Sequence, residues 1–347
     1  DNGVWLPVNP SGISSFGNNG FLLQFKQNGS SQNASGIGAD TSGNDNHFAV
    51  GGGSIQTNRI TDTPSDDANN NIGNYATINP TVPGTGTVSN GNLSGATTSG
   101  AGAVVSFVAT QAISSGKFYW EVTLTSAASG VSSRIGIATI DSISATSPTS
   151  VYIGQETTDD KTWAFNAWAA DSHDGKIEFG NGSAQRASYA EGVGGFVAGN
   201  IVGVALDMDN GALWFSKNGT WMGANLSAGN AATISEIAAG TVTNAAVGPN
   251  ANCADNINLS SLTVVPVFTV DGVTATTTIN FGQNPFTYTV PTGFKRLTTA
   301  NLPAPTVIKP DDHFASVRYE GTGSELAISS LNFKPDLVWI KNRDADD

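Results

Sequence analysis

Between Ile201 and Gly219 the chain reads Ile-Val-Gly-Val-Ala-Leu-Asp-Met-Asp-Asn-Gly-Ala-Leu-Trp-Phe-Ser-Lys-Asn-Gly, two apolar runs each followed by Asn-Gly. Asn and Gly tolerate the positive φ that both central positions of a tight two-residue hairpin require. The pattern therefore predicts two linked antiparallel hairpins, reversing at Asn210-Gly211 and at Asn218-Gly219. Gly116 to Leu124 alternates with period two, which places Phe118, Trp120, Val122 and Leu124 on a core face. Lys117, Tyr119, Glu121 and Thr123 fall on the opposite face, and Glu121, like Glu178 further on, is expected to point to solvent.

Further strands are predicted at Phe21–Phe25, Tyr75–Pro80, Ala103–Ala109, Arg134–Thr139, Val264–Phe268 and Thr278–Phe286, with an Asn90-Gly91 turn after Thr87. Asn301 to Pro310 contains three prolines, which remove backbone donors and favour extended geometry, so it is expected to be a linker. Beyond it, His313–Tyr319 and Phe333–Lys341 read as strands of a further module. A run as apolar as Leu337 to Ile340 is expected to dock on its own chain, on a neighbouring subunit or on residues outside this sequence.

Composition agrees with a turn-rich β protein. Only 12% of the 347 residues are charged, while 41 are glycine. A net charge of -13 with only 15 Lys plus Arg argues against nucleic acid and against anionic membrane surfaces, both of which draw affinity from clustered cations. No apolar run approaches the ~20 residues that span a bilayer. Cys253 is the single cysteine, so no intramolecular disulfide and no thiolate metal cluster can form. Because residue 1 is Asp, any initiator or leader is expected to be removed or to lie outside this sequence.

Candidate chemistry is sparse. His47, His173 and His313 lie in separate segments without metal-ligand spacing, and no nucleophile elbow or phosphate-cradling loop is present. In the segment Asp40 to Phe48, the residues Asp40, Asn44 and Asp45 offer oxygens to Ca²⁺ on one reading and form a hydrogen-bonded Asx turn on the other. Asp207, Asp209 and Asn210 imitate the start of a calcium loop but lack its later bidentate Glu, so a turn is expected there. Glycoside hydrolysis requires two facing acids, and Glu156-Thr157-Thr158-Asp159-Asp160 has the wrong order for the sandwich hydrolases. The richest mixture of aromatic faces and polar acceptors lies between Tyr152 and Gly180. Trp163 and Phe165 are assigned to the core by alternation, which leaves Trp168, Asp171, His173 and Asp174 as a candidate ligand patch on loops of a rigid scaffold.

Gly116-Lys117-Phe118-Tyr119-Trp120-Glu121-Val122, Arg134–Thr139, the double hairpin, and Val264–Phe268 with Asn280-Phe281-Gly282-Gln283-Asn284-Pro285-Phe286 resemble, in order, the motifs of SPRY domains. The resemblance covers roughly Tyr75 to Phe294, interrupted by an Ala-, Asn- and Thr-rich insertion over residues 223 to 262. It implies an all-β fold: a SPRY-type, concanavalin-like antiparallel β-sandwich (75–297). A β-rich N-terminal extension (1–74), the linker (298–310) and the start of a C-terminal β module (311–347) complete the expected order. The Asp40–Phe48 turn resembles one in laminin-G-like and related lectin sandwiches. Together with the Pro-rich segment and Phe333–Arg343, the whole is similar to large virion proteins of tailed bacteriophages. That likeness implies a non-enzymatic, extracellular protein of the virion surface, part of a tail fibre or comparable appendage. It would assemble with itself, as a trimer, and with other virion proteins, and would bind a host-surface glycan or protein. No cofactor is expected beyond the Ca²⁺ reading. Two alternatives stay open: a purely structural decoration or shaft protein, and a polysaccharide-degrading hydrolase.

Overall fold

The computed structural model describes residues 10–27, 29–51, 73–81, 86–97, 104–127, 132–145, 162–168, 176–180, 197–223, 231–250, 253, 256–271, 275–304, 307 and 309–342. The chain divides into two compact units, Asn9–Leu302 and Pro303–Asp347 with the first eight residues.

In the first unit twelve described strands form two antiparallel sheets. The strands are β1 (Thr87–Ser89), β2 (Ser94–Thr97), β3 (Val104–Val108), β4 (Lys117–Ala127), β5 (Ser132–Thr139), β6 (Thr162–Trp168), β7 (Lys176–Gly180), β8 (Ile201–Asp207), β9 (Ala212–Lys217), β10 (Thr220–Trp221), β11 (Val264–Asp271) and β12 (Ala275–Asn280). One sheet runs β1-β2-β12-β4-β8-β9-β10 and the other β3-β11-β5-β6-β7. Two six-residue helices accompany them, α1 (Ile140–Ala145) and α2 (Ile234–Ala239). This is the mostly-β sandwich that the alternation predicts.

Between the sheets lies the main core. Phe118, Trp120, Val122 and Leu124 of β4 pack there with Val204 and Leu206 of β8 and with Phe215 of β9. Opposite them stand Ile135, Ile137, Trp163 and Phe268 of the five-stranded sheet. The rings of Phe107 and Phe268 stack across β3 and β11 at 4.8 Å. Burial of this kind, at ~25 cal/mol per Å² of apolar surface, is the main force holding the two layers together.

The other face of β4 is buried as well, contrary to the solvent-face expectation. Tyr119 is fully buried and Glu121 is 3% exposed. Tyr119, Ala205, Trp214 and Trp221 form a second core with Ala232, Ile237, Ala245, Cys253 and Phe294. Its cover is built from the 223–262 insertion and from the chain that follows β12. Within the insertion, α2 is fixed by a capping box, Thr233 with Glu236, and ends on Gly240 at φ 71. Thr233 bonds hold the Glu236 carboxyl below the usual range, its backbone N–H contributing most.

The two Asn-Gly reversals differ. Lys217 pairs with Thr220, so Asn218 (φ 49) and Gly219 (φ 80) are the tight two-residue turn expected. Asp207 pairs with Ala212, however, which makes the β8–β9 loop four residues long, and there only Gly211 (φ 67) has positive φ. The difference arises because the Asp207 carboxylate takes the N–H groups of Asp209 and Asn210 at 3.1 and 3.0 Å and winds the loop around itself.

Four predicted strands, Phe21–Phe25, Tyr75–Pro80, His313–Tyr319 and Phe333–Lys341, do not form ladders. Phe21–Phe25 contributes one bridge, Leu23 to Asp40, and Tyr75–Pro80 contributes bridges from Tyr75 to Thr298 and from Ile78 to Ala109. In the second unit neither His313–Tyr319 nor Phe333–Lys341 is a strand. Period-two alternation favours a strand but a ladder also needs a neighbour in register over several residues, and the described residues of these segments have single bridges at most. Leu337, Val338, Trp339 and Ile340 are all exposed, Trp339 by 89%.

Candidate functional site

Among the described residues, Asp40, Glu121 and Asp207, carboxylates that sequence patterning places at loops or on a solvent face, are engaged with the protein itself. Asp40 sits in a nest of donors. Its Oδ1 accepts the N–H groups of Leu22 and Ser42, both at 2.8 Å, and its Oδ2 accepts the Ser42 hydroxyl at 2.8 Å and the Asn46 N–H at 3.0 Å. Asn44 turns its amide nitrogen to the carbonyls of Gly17 and Gly20. Asp45, at φ 56, lies 3.7 Å from His47, whose Nδ1 accepts the Asp40 N–H at 3.0 Å. The three residues therefore do not converge as an oxygen cage, and among the described residues no group of three or more His, Cys, Asp or Glu gathers as metal ligands. The geometry is that of an Asx turn which ties two segments of the extension together.

Burial tends to raise the Asp40 carboxyl, but the bonds from Leu22, Ser42 and Asn46 outweigh it and hold the pKa at about 2, below its ordinary 3.8. A carboxyl depressed by folding stabilises fully above its unfolded pKa and loses that contribution as the pH falls through the folded value. The turn is thus expected to stay ordered at pH 5 and to loosen between 3.8 and about 2. Amide NMR shifts of Leu22 and Asn46 should follow that titration, and Asp40→Asn should abolish it.

Glu121 is a second such lock. Its Oε1 accepts the Tyr119 hydroxyl at 3.0 Å and the Tyr288 N–H at 2.9 Å, while Oε2 accepts the Thr287 N–H at 2.9 Å. It therefore pins the strap that follows β12 onto the outer face of the seven-stranded sheet. The strap adds Phe286, edge-on to Tyr119 at 4.9 Å, and Phe294, edge-on to Trp214 at 6.4 Å. Burial, then the Glu121 charge and hydrogen bond, push the Tyr119 hydroxyl far above the usual phenol range, so it stays protonated and donates.

At the end of the same sheet Asp207, wholly buried, meets Lys117. The Lys117 ammonium lies 2.9 Å from Asp207 Oδ2 and 5.9 Å from the Phe294 ring centroid. The same Oδ2 accepts the Asn210 side-chain amide at 2.8 Å, and Asp209 accepts the Gly116 N–H at 2.7 Å. No sequence pattern pointed to this cluster except the turn composition itself, because Lys117 is remote in the chain.

The candidate ligand patch is only partly described. Trp168 closes β6 opposite Ser132. Asp171, His173 and Asp174 lie outside the described residues, as do Glu156, Asp159 and Asp160. Trp163 is fully buried in the core, as alternation requires.

Residues 117–235 match the family model described as SPRY domain. The chain carries a SPRY domain. Residues 309–347 match a second model, described as a domain of unknown function, DUF7483. Among solved structures, the SPRY domain of human HERC1 is similar at 15% identity over 58% of this chain and 96% of that one, with a TM-score of 0.37. The PSpry domain of TRIM65 is similar at 16% identity over 60% and 93%, TM-score 0.33, and a human SPRY domain at 12% over 58% and 97%, TM-score 0.35. No curated protein matches the chain. Lys117, Glu121, Trp168, Asp207 and Asn210 all lie in the matched SPRY segment, whereas the strap that Glu121 holds, with Thr287 and Tyr288, lies beyond it. Asp40 lies in the extension that precedes it.

Proposed function

We propose that this chain is a non-enzymatic binding component of a phage virion surface, part of a tail fibre or comparable appendage, which contacts a host-surface glycan or protein through its sandwich loops. SPRY domains are typically protein-interaction modules, which supports a binding role. The observation that carries the reading is the double covering of the seven-stranded sheet: one face is closed by the main core and the other by the second core. On that sheet, loops and rim are then what is left for a partner, and loops on a rigid scaffold are where recognition concentrates. The resemblance of the Pro-rich and Phe333–Arg343 segments to phage virion proteins supplies the virion context, an extracellular setting, and assembly with itself as a trimer and with other virion proteins.

A structural decoration or shaft role is the second reading, favoured by the exposed Leu337–Ile340 run, which suits burial in an assembly. Hydrolysis of polysaccharide draws no support from Asp40, Glu121 and Asp207, since the described hydrogen bonds commit each carboxylate to holding a turn or the strap.

Glycan-array binding by the purified chain and by Trp168→Ala tests the adhesin reading. Specific binding that falls at least about tenfold in the variant, the loss of ~1.4 kcal/mol, supports it. Absence of binding by both proteins, with Trp168 covered in the assembled particle, establishes the structural role instead.

A further inference from the structure

One carboxylate oxygen serves two reactive side chains at the end of β4. Asp207 Oδ2 is 2.9 Å from the Lys117 amine and 2.8 Å from the Asn210 amide nitrogen. Asp207 is wholly buried, and Lys117 is largely so, its side chain 22% exposed. The amide is walled by α2: a Cβ at Gly240 would stand 2.4 Å from Asn210 Nδ2 and 3.3 Å from Asp207 Oδ2. The Phe294 ring closes the lysine side. Asn210 is also restrained from its own backbone, whose N–H binds Asp207 Oδ1 at 3.0 Å. An amine, a carboxamide and a shared proton carrier are thus held together around the buried Asp207 carboxylate, with Asn210 on its exposed side.

We propose that Lys117 and Asn210 form a self-generated isopeptide cross-link, with Asp207 as its general acid and base. Transfer of a proton from the ammonium to Asp207 leaves a neutral amine, the nucleophilic form of lysine. Lys117 Nζ attacks Asn210 Cγ, the Nζ–Cγ amide bond forms, and the Cγ–Nδ2 bond breaks. Asp207 gives its proton to Nδ2, which leaves as ammonia, and the second proton shed by Nζ goes with it as ammonium. The sum is R–NH₃⁺ plus R′–CONH₂ giving R′–CO–NH–R plus NH₄⁺, with no oxidant, cofactor or energy source. Fixed proximity is what makes such an intramolecular amide exchange feasible, since oriented groups reach effective molarities of roughly 10⁵ to 10⁸ M. Asn210 lies at the exposed turn, so ammonia has a route out. The bond would staple the first residue of β4 to the β8–β9 loop independently of what the sandwich binds.

Intact mass and tandem mass spectrometry of the purified full chain test this. The expected result is a mass lower than the sequence value by one ammonia and a branched peptide joining Lys117 to Asn210. Asn210→Ala, and Lys117→Arg, which keeps the charge next to Asp207 without a lysine nucleophile, should both fold and restore their full sequence masses. Two outcomes overturn the proposal: a wild-type chain of full mass without the branched peptide, which leaves an ion pair only, or a deficit confined to Asn210 and Gly211 as a succinimide. The second has the same mass but yields no branched peptide.

Discussion

Glu121→Ala is expected to destabilise the SPRY domain by about 3 to 5 kcal/mol, since a stranded buried donor costs about 1 to 3 kcal/mol and three lose their acceptor together. The variant strands three donors at once: the Tyr119 hydroxyl and the N–H groups of Thr287 and Tyr288. The fully buried Tyr119 hydroxyl regains water only if the strap lifts, and lifting it bares Phe286 and Phe294. Urea unfolding followed by tryptophan fluorescence should show the midpoint falling. Glu121→Gln, which keeps an acceptor but replaces one oxygen by a donor, should fall between. A change under about 0.5 kcal/mol, typical of exposed sites, would return Glu121 to the solvent face.

An even larger effect is expected at Gly136. This residue sits in the middle of β5, opposite Ala164 of β6. A Cβ there would stand 1.9 Å from the Trp163 carbonyl oxygen and 2.7 Å from the Ala164 Cα. Both are backbone atoms of a paired strand, so no side-chain rotation relieves the clash and the sheet itself must shift. Gly136→Ala should cost more than about 4 kcal/mol, beyond the ~1 to 3 kcal/mol typical of overpacking because the atoms met are backbone, and should leave little folded protein. Gly51→Ala, with nothing within 4 Å of the added atom, is the control and should behave as the parent. Near-ultraviolet circular dichroism of both variants decides the matter.

The layers of the sandwich were legible in the sequence because local rules govern them. Alternation marked β4, and Asn218-Gly219 reversed the chain as its φ preferences demand. The second core was not legible from β4, since the residues covering Tyr119 come from Ala232 to Cys253 and Phe286 to Phe294, far along the chain. A hint existed in β9, where Ala-Leu-Trp-Phe is apolar without alternation, the pattern of a strand buried on both sides. Asn210-Gly211 misled for a different reason: the dipeptide preference is local, but Asp207 three positions earlier competes for the same backbone N–H groups. Asp40 was readable in part, as its Asx-turn alternative proves to describe the hydrogen bonding. Trp168, read from the sequence as part of a loop patch, is the last residue of β6, while the electrostatic neighbourhood of Lys117 required tertiary distance that no spacing encodes.

The second core also decides where this protein can be cut. A recombinant piece trimmed to residues 117–235 would discard β11, which sits between β3 and β5, and β12, which sits between β2 and β4. It would also strip Phe286 and Phe294 from above Tyr119 and Trp214, leaving wet aromatic rings and open sheet edges that invite precipitation. Fragments meant for crystals or binding assays need to run from Asn74, whose carbonyl holds Thr299, through Leu302.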